Sequence, residues 1–338
     1  MNVYEIAKKA GVSIATISRA VNPETRSKVA PETLERLDKI IRQYHYAPNQ
    51  AAKGLTQSVF NTIGMVVPHG EGFFMNEYYM KLLSGVADSL LETKYRFKLL
   101  MLKCADRKWD RYNFRAAEGV DGMIVTHWRV VFSDKSVFEK LGIPCVMIGD
   151  PERGVRASFV SADQEKGGWL AAQHLYGKGH RRFAVVTGGA FSVDSQLRMK
   201  GFQSFLRSRH IALPKDRIFC GEFQEDVAAS AVEKFLKTKP KGTAIFCFND
   251  DMAYGVIRKM REAGLRCPQD ISVMGFDDDS RAAACEPPLT TVRVPLYDVA
   301  KQATRHLVEK LASGAKGFAG HEELLPVEVV VRKSVRER

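Results

Sequence analysis

The segment AGVSIATISRAVN, residues 10–22, has the pattern of a turn followed by a short helix. If Ser13 caps this helix, Ile17, Ala20 and Val21 fall on one side of it. The opposite side covers an arc of roughly 140° and carries small, apolar or neutral polar side chains and one arginine. These side chains are Ile14, Ala15, Ser18, Arg19 and Asn22. A helix surface that meets only water is usually charged, so this face predicts contact with another molecule.

Two further helices flank this segment, and no strand pattern interrupts the first 58 residues. Apolar residues repeat at helical spacing from Val3 to Ala10, before a turn at Gly11. A third helix is predicted to begin near Pro31, a favourable first-turn residue, and to end before Pro48. The segment contains nine Lys and Arg residues against five Asp and Glu. These features predict a basic three-helix domain that contains a helix-turn-helix.

A helix-turn-helix places its second helix in the major groove of DNA. Short side chains at Ala15 and Ser18 would let that helix lie deep in the groove. Ile14 can contact thymine methyl groups, and Arg19 can donate two hydrogen bonds to guanine. The hydroxyl group of Thr16 can meet a phosphate beside the helix N-terminus. The alternative interpretation is a plain three-helix bundle with a lightly apolar surface.

From residue 61 onward, short apolar runs alternate with amphipathic helices. Eight runs are predicted strands, and a ninth lies near the C-terminus: residues 62–68, 97–102, 121–127, 144–150, 182–189, 217–223, 244–250, 271–278 and 326–333. Continuous apolar strands separated by helices are typical of parallel sheets that are covered on both faces. Because nine strands exceed one comfortable sheet, we predict two similar α/β lobes.

Composition and charge are those of a soluble protein with more than one domain. The chain has 338 residues, of which 45% are hydrophobic and 27% are charged. Its net charge of +12 favours a polyanionic partner. The six cysteines have neither CxxC nor Cys/His metal spacing, which favours a cytoplasmic location and no bound metal ion. The first residues are not a signal peptide, and no apolar run reaches the ~20 residues of a membrane helix, so no membrane partner is expected.

The N-terminal segment resembles the DNA-binding headpiece of the lactose-repressor/galactose-repressor (LacI/GalR) family of bacterial transcription regulators. The matching stretches are VYEIAKKAGVSIATISRAVN, residues 3–22, and VAPETLERLDKIIRQYHYAPNQAAKGL, residues 29–55. Four later blocks resemble the effector-binding core of that family: HLYGKGHRRFAVVTGG (174–189), LRMKGF (197–202), FNDDMAYGV (248–256) and CPQDISVMGFDDDSRAAACEPPLTTVRVP (267–295). The resemblance implies an all-α helix-turn-helix headpiece and a two-lobed α/β core with parallel sheets, like that of periplasmic binding proteins.

The resemblance also implies how the chain is divided. The headpiece is expected over residues 1–48, a hinge helix or linker over 49–60, and the effector-binding core over 61–338. Within the core, the first lobe is expected at about residues 61–160 and 293–321, and the second at about 163–290 and 322–338.

In this family the hinge folds on DNA and inserts a leucine into the minor groove at a central CpG step, which bends the duplex. The matching leucine is Leu55, beside Ala52 and Lys53. Gly54 lowers the helix propensity, so a flexible linker is the alternative. The predicted DNA-contacting residues are Tyr4, Ser13, Ile14, Ala15, Thr16, Ser18, Arg19, Asn22, Asn49, Ala52, Lys53 and Leu55.

Two lobes of parallel sheet form a cleft at the carboxyl ends of their strands, where α/β folds bind ligands. The resemblance assigns Arg198 and Asp277 to paired contacts with hydroxyl or carboxylate groups of an effector. The predicted effector-binding residues are Tyr79, Thr126, Asp163, Asp194, Arg198, Phe223, Asn249 and Asp277. Carboxylates between aromatic faces favour a sugar; the alternatives are a nucleobase, a protein corepressor or no ligand. The alternative is that these residues are solvated loop ends or, for Asp277, a helix N-cap.

Two segments depart from the family pattern. The loop PHGEGFFMNEYY, residues 68–79, is longer than usual, which leaves the contacts of the first lobe open. The segment HWRVVFS, residues 127–133, is bulkier than the small-residue loop expected there. His127 or Trp128 can therefore line or cap the pocket, and a purely structural role for His127 is the alternative.

These features predict a cytoplasmic, sequence-specific DNA-binding regulator that acts as a homodimer on double-stranded DNA. One headpiece reads only a half-site, so two-fold symmetry implies a palindromic operator. Repression is the expected mode, under control of a small-molecule effector in the cleft. Whether that effector releases or tightens DNA binding is left open. The sequence contains no Walker loop, GxSxG or HExxH motif, so we expect no catalytic residue and no cofactor. The alternative is a two-lobed sugar-processing or sugar-binding protein without a regulatory role.

Overall fold

A computed structural model describes most of the chain: residues 2–21, 25–46, 59–69, 73–103, 114–132, 142–150, 158–240, 243–314 and 320–338. Two compact units are present, Met1–Asn61 and Thr62–Arg338, and each is described by itself. Five predicted DNA contacts lie outside the described residues: Asn22, Asn49, Ala52, Lys53 and Leu55.

The described part of the N-terminal unit contains three α-helices: α1 (Val3–Ala10), α2 (Ile14–Val21) and α3 (Pro31–Gln43). Helix α1 begins with a capping box, in which the Asn2 side chain accepts from the Glu5 amide and the Glu5 carboxylate accepts from the Asn2 amide. Gly11 ends the helix in the left-handed region, with φ of +62°. The chain therefore turns at the residue where the sequence predicts a turn.

The three helices enclose a small core made of Ile6, Ala10, Ile17, Ala20, Val29 and Leu37. Arg26 fastens the end of α2 to α3, because its guanidinium donates to the Ala20 carbonyl (2.7 Å) and pairs with Asp38 (2.5 Å). The predicted inward side of α2 is thus the buried side, with Ile17 1% exposed.

The first lobe of the core is built on a six-stranded parallel sheet. Its strands are β1 (Thr62–Pro68), β2 (Arg96–Leu102), β3 (Gly122–Thr126), β4 (Cys145–Ile148), β5 (Ser158–Ala162) and β11 (Glu322–Leu325), in the order β11-β5-β4-β3-β1-β2. The helices described in this lobe are α4 (Glu77–Leu90), α5 (Phe114–Glu118), α6 (Trp128–Val131) and α11 (Leu296–Ala312). Helices α4 and α11 pack closely at Gly85, where a Cβ atom would lie only 2.4 Å from the Tyr297 carbonyl oxygen.

The second lobe is built on a four-stranded parallel sheet. Its strands are β6 (Arg182–Thr187), β7 (Ile218–Cys220), β8 (Thr243–Cys247) and β9 (Ser272–Met274), in the order β7-β6-β8-β9. Four helices accompany them: α7 (Gln164–Gly177), α8 (Val193–Ser208), α9 (Glu225–Lys237) and α10 (Asp250–Glu262). Helix α7 packs against α8 at Gly168, where a Cβ atom would lie 2.0 Å from the carbonyl oxygen of Arg198. This close approach fixes the position of Arg198.

Two short antiparallel strands, β10 (Thr291–Arg293) and β12 (Glu328–Val330), lie beside the second sheet. The predicted list of strands omits β5, β10 and β11. The predicted return to the second lobe at residue 322 is also too early, because Glu322–Leu325 pair in parallel with β5 of the first sheet. The chain leaves the first sheet only after Leu325.

Among the described helices, none is both long and apolar enough to span a bilayer.

Candidate functional site

The outer face of α2 is open to solvent within the N-terminal unit. Ile14 is 40% exposed, and Ala15, Ser18 and Arg19 are exposed as well. At the start of the helix the Ser13 hydroxyl oxygen accepts from the Thr16 amide (3.2 Å), so the predicted N-cap is present. Tyr4 on α1 is 71% exposed. This face, whose only charged side chain is Arg19, is therefore available to a partner.

In the core, Arg198 on α8 is buried among polar groups of the second lobe. Its Nε donates to the Gln164 side chain (2.8 Å), and its guanidinium also donates to the Phe248 carbonyl. The ring of Phe276 lies 3.8 Å beneath the guanidinium. The remaining nitrogen lies 3.8 Å from an Asp277 carboxylate oxygen. The residue is thus held rigidly, with one edge directed toward Asp277.

Asp277 follows β9 and adopts a left-handed conformation, with φ of +114°. Its amide donates to the Val292 carbonyl (2.7 Å), which ties the loop to β10. Burial raises the pKa of its carboxyl to about 7, against the opposing effect of Arg198. Near neutral pH this group can therefore either donate or accept a hydrogen bond.

Phe223 supplies an aromatic surface beside Arg198, with 5.9 Å between the guanidinium and the ring centroid. Its ring rests on Gly188, where a Cβ atom would lie 2.0 Å from the ring. Because only a glycine leaves this space, Gly188 positions the ring.

A first-lobe aromatic group faces the same carboxylates. Tyr78 on α4 is half-buried, and its pKa lies well above the usual value because of desolvation and the negative charges of Asp194 and Asp277. Its ring lies 5.4 Å from that of His127. Burial lowers the pKa of His127, against the opposing effect of Asp194. Both side chains are therefore neutral near pH 7.

Asp150, two residues after β4, brings another carboxyl to this cluster. Burial, together with the charges of Asp194 and Asp163, raises its pKa to about 7. The structure thus gathers Tyr78, His127, Asp150, Asp194, Arg198, Phe223 and Asp277 at the carboxyl ends of the two sheets, in what we call the cleft cluster. Such a group of hydrogen-bond donors, acceptors and aromatic faces can bind a small polar ring.

Comparisons with known proteins assign a domain type to each of the two parts of the chain. Residues 2–49 match the lacI family of bacterial regulatory proteins, and residues 172–335 match the periplasmic binding protein-like domain. The HTH-type transcriptional repressor PurR of Vibrio vulnificus is 31% identical over 344 residues, which cover 99% of this chain and 98% of that protein. Catabolite control protein A of Priestia megaterium is 31% identical over 320 residues, with 91% and 92% covered.

The chain belongs to the LacI family of bacterial regulatory proteins. It is a LacI-family transcriptional repressor with an effector-binding domain. The transcriptional regulator CelR in complex with cellobiose has a TM-score of 0.74 with this chain at 26% identity, over 99% of both chains. The Lac repressor dimer bound to operator and the anti-inducer ONPF has a TM-score of 0.84 at 23% identity, over 99% of both chains, which shows the shared fold. The predicted fold class is therefore confirmed.

Several residues predicted to bind the effector of this LacI-family repressor form hydrogen bonds within the protein itself. The Thr126 hydroxyl donates to the Val66 carbonyl (3.1 Å). Asn249 caps α10 by accepting from the Met252 amide (2.9 Å), and its amide group donates to the Phe223 carbonyl (3.2 Å). Asn249 therefore contacts the cleft cluster through Phe223, whereas the hydroxyl of the buried Thr126 is bonded within the first sheet.

Asp163 caps α7 by accepting from the Lys166 amide (2.8 Å). It also lines a depression of about 400 Å³ with Lys166 and Trp169, to which neither Arg198 nor Asp277 contributes. Asp163 thus lies at the margin of the cleft cluster, where its negative charge raises the pKa of Asp150.

Sequence reasoning missed Tyr78 and Asp150. Tyr79, which was predicted instead of Tyr78, packs against Phe73 and His127, at 4.5 and 5.7 Å between ring centroids. The sequence of the two adjacent tyrosines does not indicate which of them enters the cluster. Asp150 did carry a signal, because it lies at the carboxyl end of a predicted strand, as Asn249 and Asp277 do.

Asp250 was also missed, although it supports the loop that carries Asp277. It accepts from the Thr291 hydroxyl (2.6 Å) and from the Asp279 amide (2.9 Å), and burial raises its pKa well above the usual value. Asp278 of the same loop pairs with Arg332 at 2.6 Å. The loop is therefore held by Asp250 on one side and by Arg332 on another.

Proposed function

We propose that this repressor binds a palindromic operator as a homodimer, under control of a small polyhydroxylated effector in the cleft cluster. The observation that carries the proposal is the exposed, nearly uncharged face of α2, with Arg19 as its single cation. A face of this kind suits the major groove, where Arg19 can reach guanine and Ile14 can contact thymine methyl groups. We place the protein in the cytoplasm, where such DNA is found.

The proposed DNA contacts come from the headpiece and the hinge. They comprise the α2 face, the hydroxyls at its start, Tyr4 and the hinge residues: Tyr4, Ser13, Ile14, Ala15, Thr16, Ser18, Arg19, Asn22, Asn49, Ala52, Lys53 and Leu55. Leu55 would enter the minor groove at a central CpG step and bend the operator.

Two copies of the headpiece are needed because one recognition helix reads only a few base pairs. The Lac repressor that shares this fold was solved as a dimer bound to its operator. A two-fold symmetric dimer requires two inverted half-sites, so the operator of this protein should be palindromic.

A sugar is the proposed effector. The cleft cluster offers carboxyl groups that can donate or accept near pH 7, a neutral phenol on Tyr78 and the aromatic face of Phe223. CelR was solved with cellobiose, and a LacI-family regulator from Enterococcus faecium, 25% identical with a TM-score of 0.70, was solved with ribose. A nucleobase is the second candidate, because a planar ring would also fit between aromatic groups.

The effector can change DNA binding only through its different affinity for two conformations of the protein. We expect a coupling free energy of about 1–3 kcal/mol between the effector and the operator. The proposal includes no catalytic step, since the named relatives are repressors.

The test has two stages and uses the full chain. Selection of bound sequences from random DNA should return an inverted repeat. A thermal-shift screen against sugars and nucleobases should then give a compound that stabilises the protein and changes its operator affinity. Asp277→Asn should reduce the stabilisation, whereas Asp216→Asn, in a surface turn of the same lobe, should not. Selection of sequences without two-fold symmetry, or equal stabilisation of both variants, would refute the corresponding part of the proposal.

A further inference from the structure

A cluster of metal-binding side chains lies in the first lobe, apart from the cleft cluster. His306 is on α11, His321 immediately precedes β11, and Glu323 is on β11. One nitrogen from each histidine and one oxygen from Glu323 all lie within 4.8 Å of one another. The two imidazole rings are 3.9 Å apart between centroids.

The spacing is close to that required by a tetrahedral metal ion. The Glu323 carboxylate lies 2.6 Å from Nε2 of His306 and 3.7 Å from Nε2 of His321. Around Zn²⁺ with bonds of about 2.0–2.2 Å, ligand atoms are about 3.3–3.6 Å apart. Replacing the hydrogen bond between His306 and Glu323 by two metal bonds would therefore change these two oxygen–nitrogen separations by about 1 Å or less.

The backbone at this cluster is well anchored. The His321 carbonyl accepts from the Phe159 amide (2.8 Å), and the His321 amide donates to the Ser158 hydroxyl (3.3 Å). Glu323 pairs in register with Val160 on β5, and α11 packs against that strand. Ligands on a sheet and on a packed helix hold their geometry better than ligands on loops.

We propose that His306, His321 and Glu323 bind a divalent first-row transition-metal ion, of which Zn²⁺ is the probe of choice. Two imidazoles and one carboxylate are ligands that suit zinc, and a water molecule would complete the tetrahedron. His321 is 53% exposed and His306 14%, so one side of the site is open to solvent. Glu309 lies 3.8 Å from Nδ1 of His306 and can orient that ring as an outer partner.

Such an ion would join α11 to β11, the last strand before the chain crosses to the second lobe. We therefore expect metal binding to stabilise the first lobe. Sequence reasoning, which expected no metal, missed the site because its ligands lie 15 and 17 residues apart and share no short motif.

The test uses the full chain, stripped of metal with a chelator, and titration calorimetry with Zn²⁺. One ion per chain should bind and raise the melting temperature. His306→Gln and Glu323→Gln should each weaken binding more than about 10-fold, since losing even an outer partner costs that much. His321→Gln, at a half-exposed position, should do the same without affecting folding. His69→Gln, which removes an exposed histidine of the same lobe, is the matched control.

The absorption spectrum of bound Co²⁺ distinguishes this site from a site with cysteine ligands. A nitrogen and oxygen site should give visible absorption without a thiolate charge-transfer band, and Cys220→Ser should leave the spectrum unchanged. Unaltered Zn²⁺ affinity in all three ligand variants, or Co²⁺ absorption that depends on Cys220, would overturn the proposal.

Discussion

Glu77 of the first lobe accepts hydrogen bonds from Ser280 of the second lobe. Its carboxylate oxygens lie 3.0 and 3.1 Å from the Ser280 amide, and one of them lies 2.5 Å from the hydroxyl. Lys81, one turn further along α4, pairs with Glu77 (2.8 Å) and donates to the Asp278 carbonyl (3.2 Å). The loop that carries Asp277 is therefore tied to the helix that carries Tyr78.

Glu77→Gln should weaken this connection between the lobes. Burial raises the pKa of Glu77, but hydrogen bonds from Lys81 and Ser280 outweigh that effect and lower it, so the group is ionised near pH 7. Losing charged hydrogen bonds should cost about 1–2 kcal/mol, or about 5- to 30-fold in effector affinity if binding requires the closed lobes. Effector titration of this variant beside Glu92→Gln, at an exposed position of the same lobe, measures the effect. Equal affinities of the two variants would show that Glu77 does not control closure.

Arg19→Ala should weaken operator binding by about 1–3 kcal/mol and relax the preference at one guanine in each half-site. The reason is the loss of a two-pronged contact to the guanine edge. Fluorescence anisotropy on operators substituted at each position measures both effects. Arg36→Ala removes the same charge from an exposed position on α3 and should not change the base preference. Equal losses on operator and random DNA would contradict the assignment of Arg19.

Leu55→Ala should reduce the bend of the operator and weaken specific binding more than non-specific binding. Leu55 lies outside the described residues, and the expectation depends on the family resemblance of the hinge. Circularly permuted operator fragments report the bend by their gel mobility. An unchanged bend would show that the hinge leucine does not enter the duplex.

Asp150→Asn and Asp277→Asn should each flatten the pH dependence of core stability between about pH 4 and pH 7. Both carboxyls have a usual pKa of 3.8, which the fold raises to about 7, mainly through burial. The folded state therefore favours their protonated form. Their stabilising contribution is complete below pH 3.8 and is lost as the pH rises to about 7.

Urea unfolding at several pH values measures this slope, with Asp216→Asn as the control for removal of a surface charge. The informative quantity is the difference from the unsubstituted protein, because other groups also titrate in this range. A variant slope equal to that of the unsubstituted protein would show that the two carboxyls keep ordinary pKa values.

Local sequence determined the headpiece and most of the strands. The Ser13 cap, the turn at Gly11 and the inward side of α2 follow from neighbours within one or two turns, and the structure confirms them. Strands whose apolar runs are long enough to span a buried sheet were found for the same reason. Strands β5, β10 and β11 were missed, since they are short and partly polar and depend on distant pairing partners.

Only the tertiary structure decided which side chains meet. It selected Tyr78 to face Asp194 and Asp277, and it brought Asp150 into the same group of carboxyls. It also placed β11 in the first sheet, which assembles His306, His321 and Glu323 from a helix and a strand. Short-range periodicity fixes the side of an element that is buried, because that depends on residues three or four apart. The rotation and register of one element against another depend on packing between residues far apart in the chain, and these pairings bring the residues of the two clusters together.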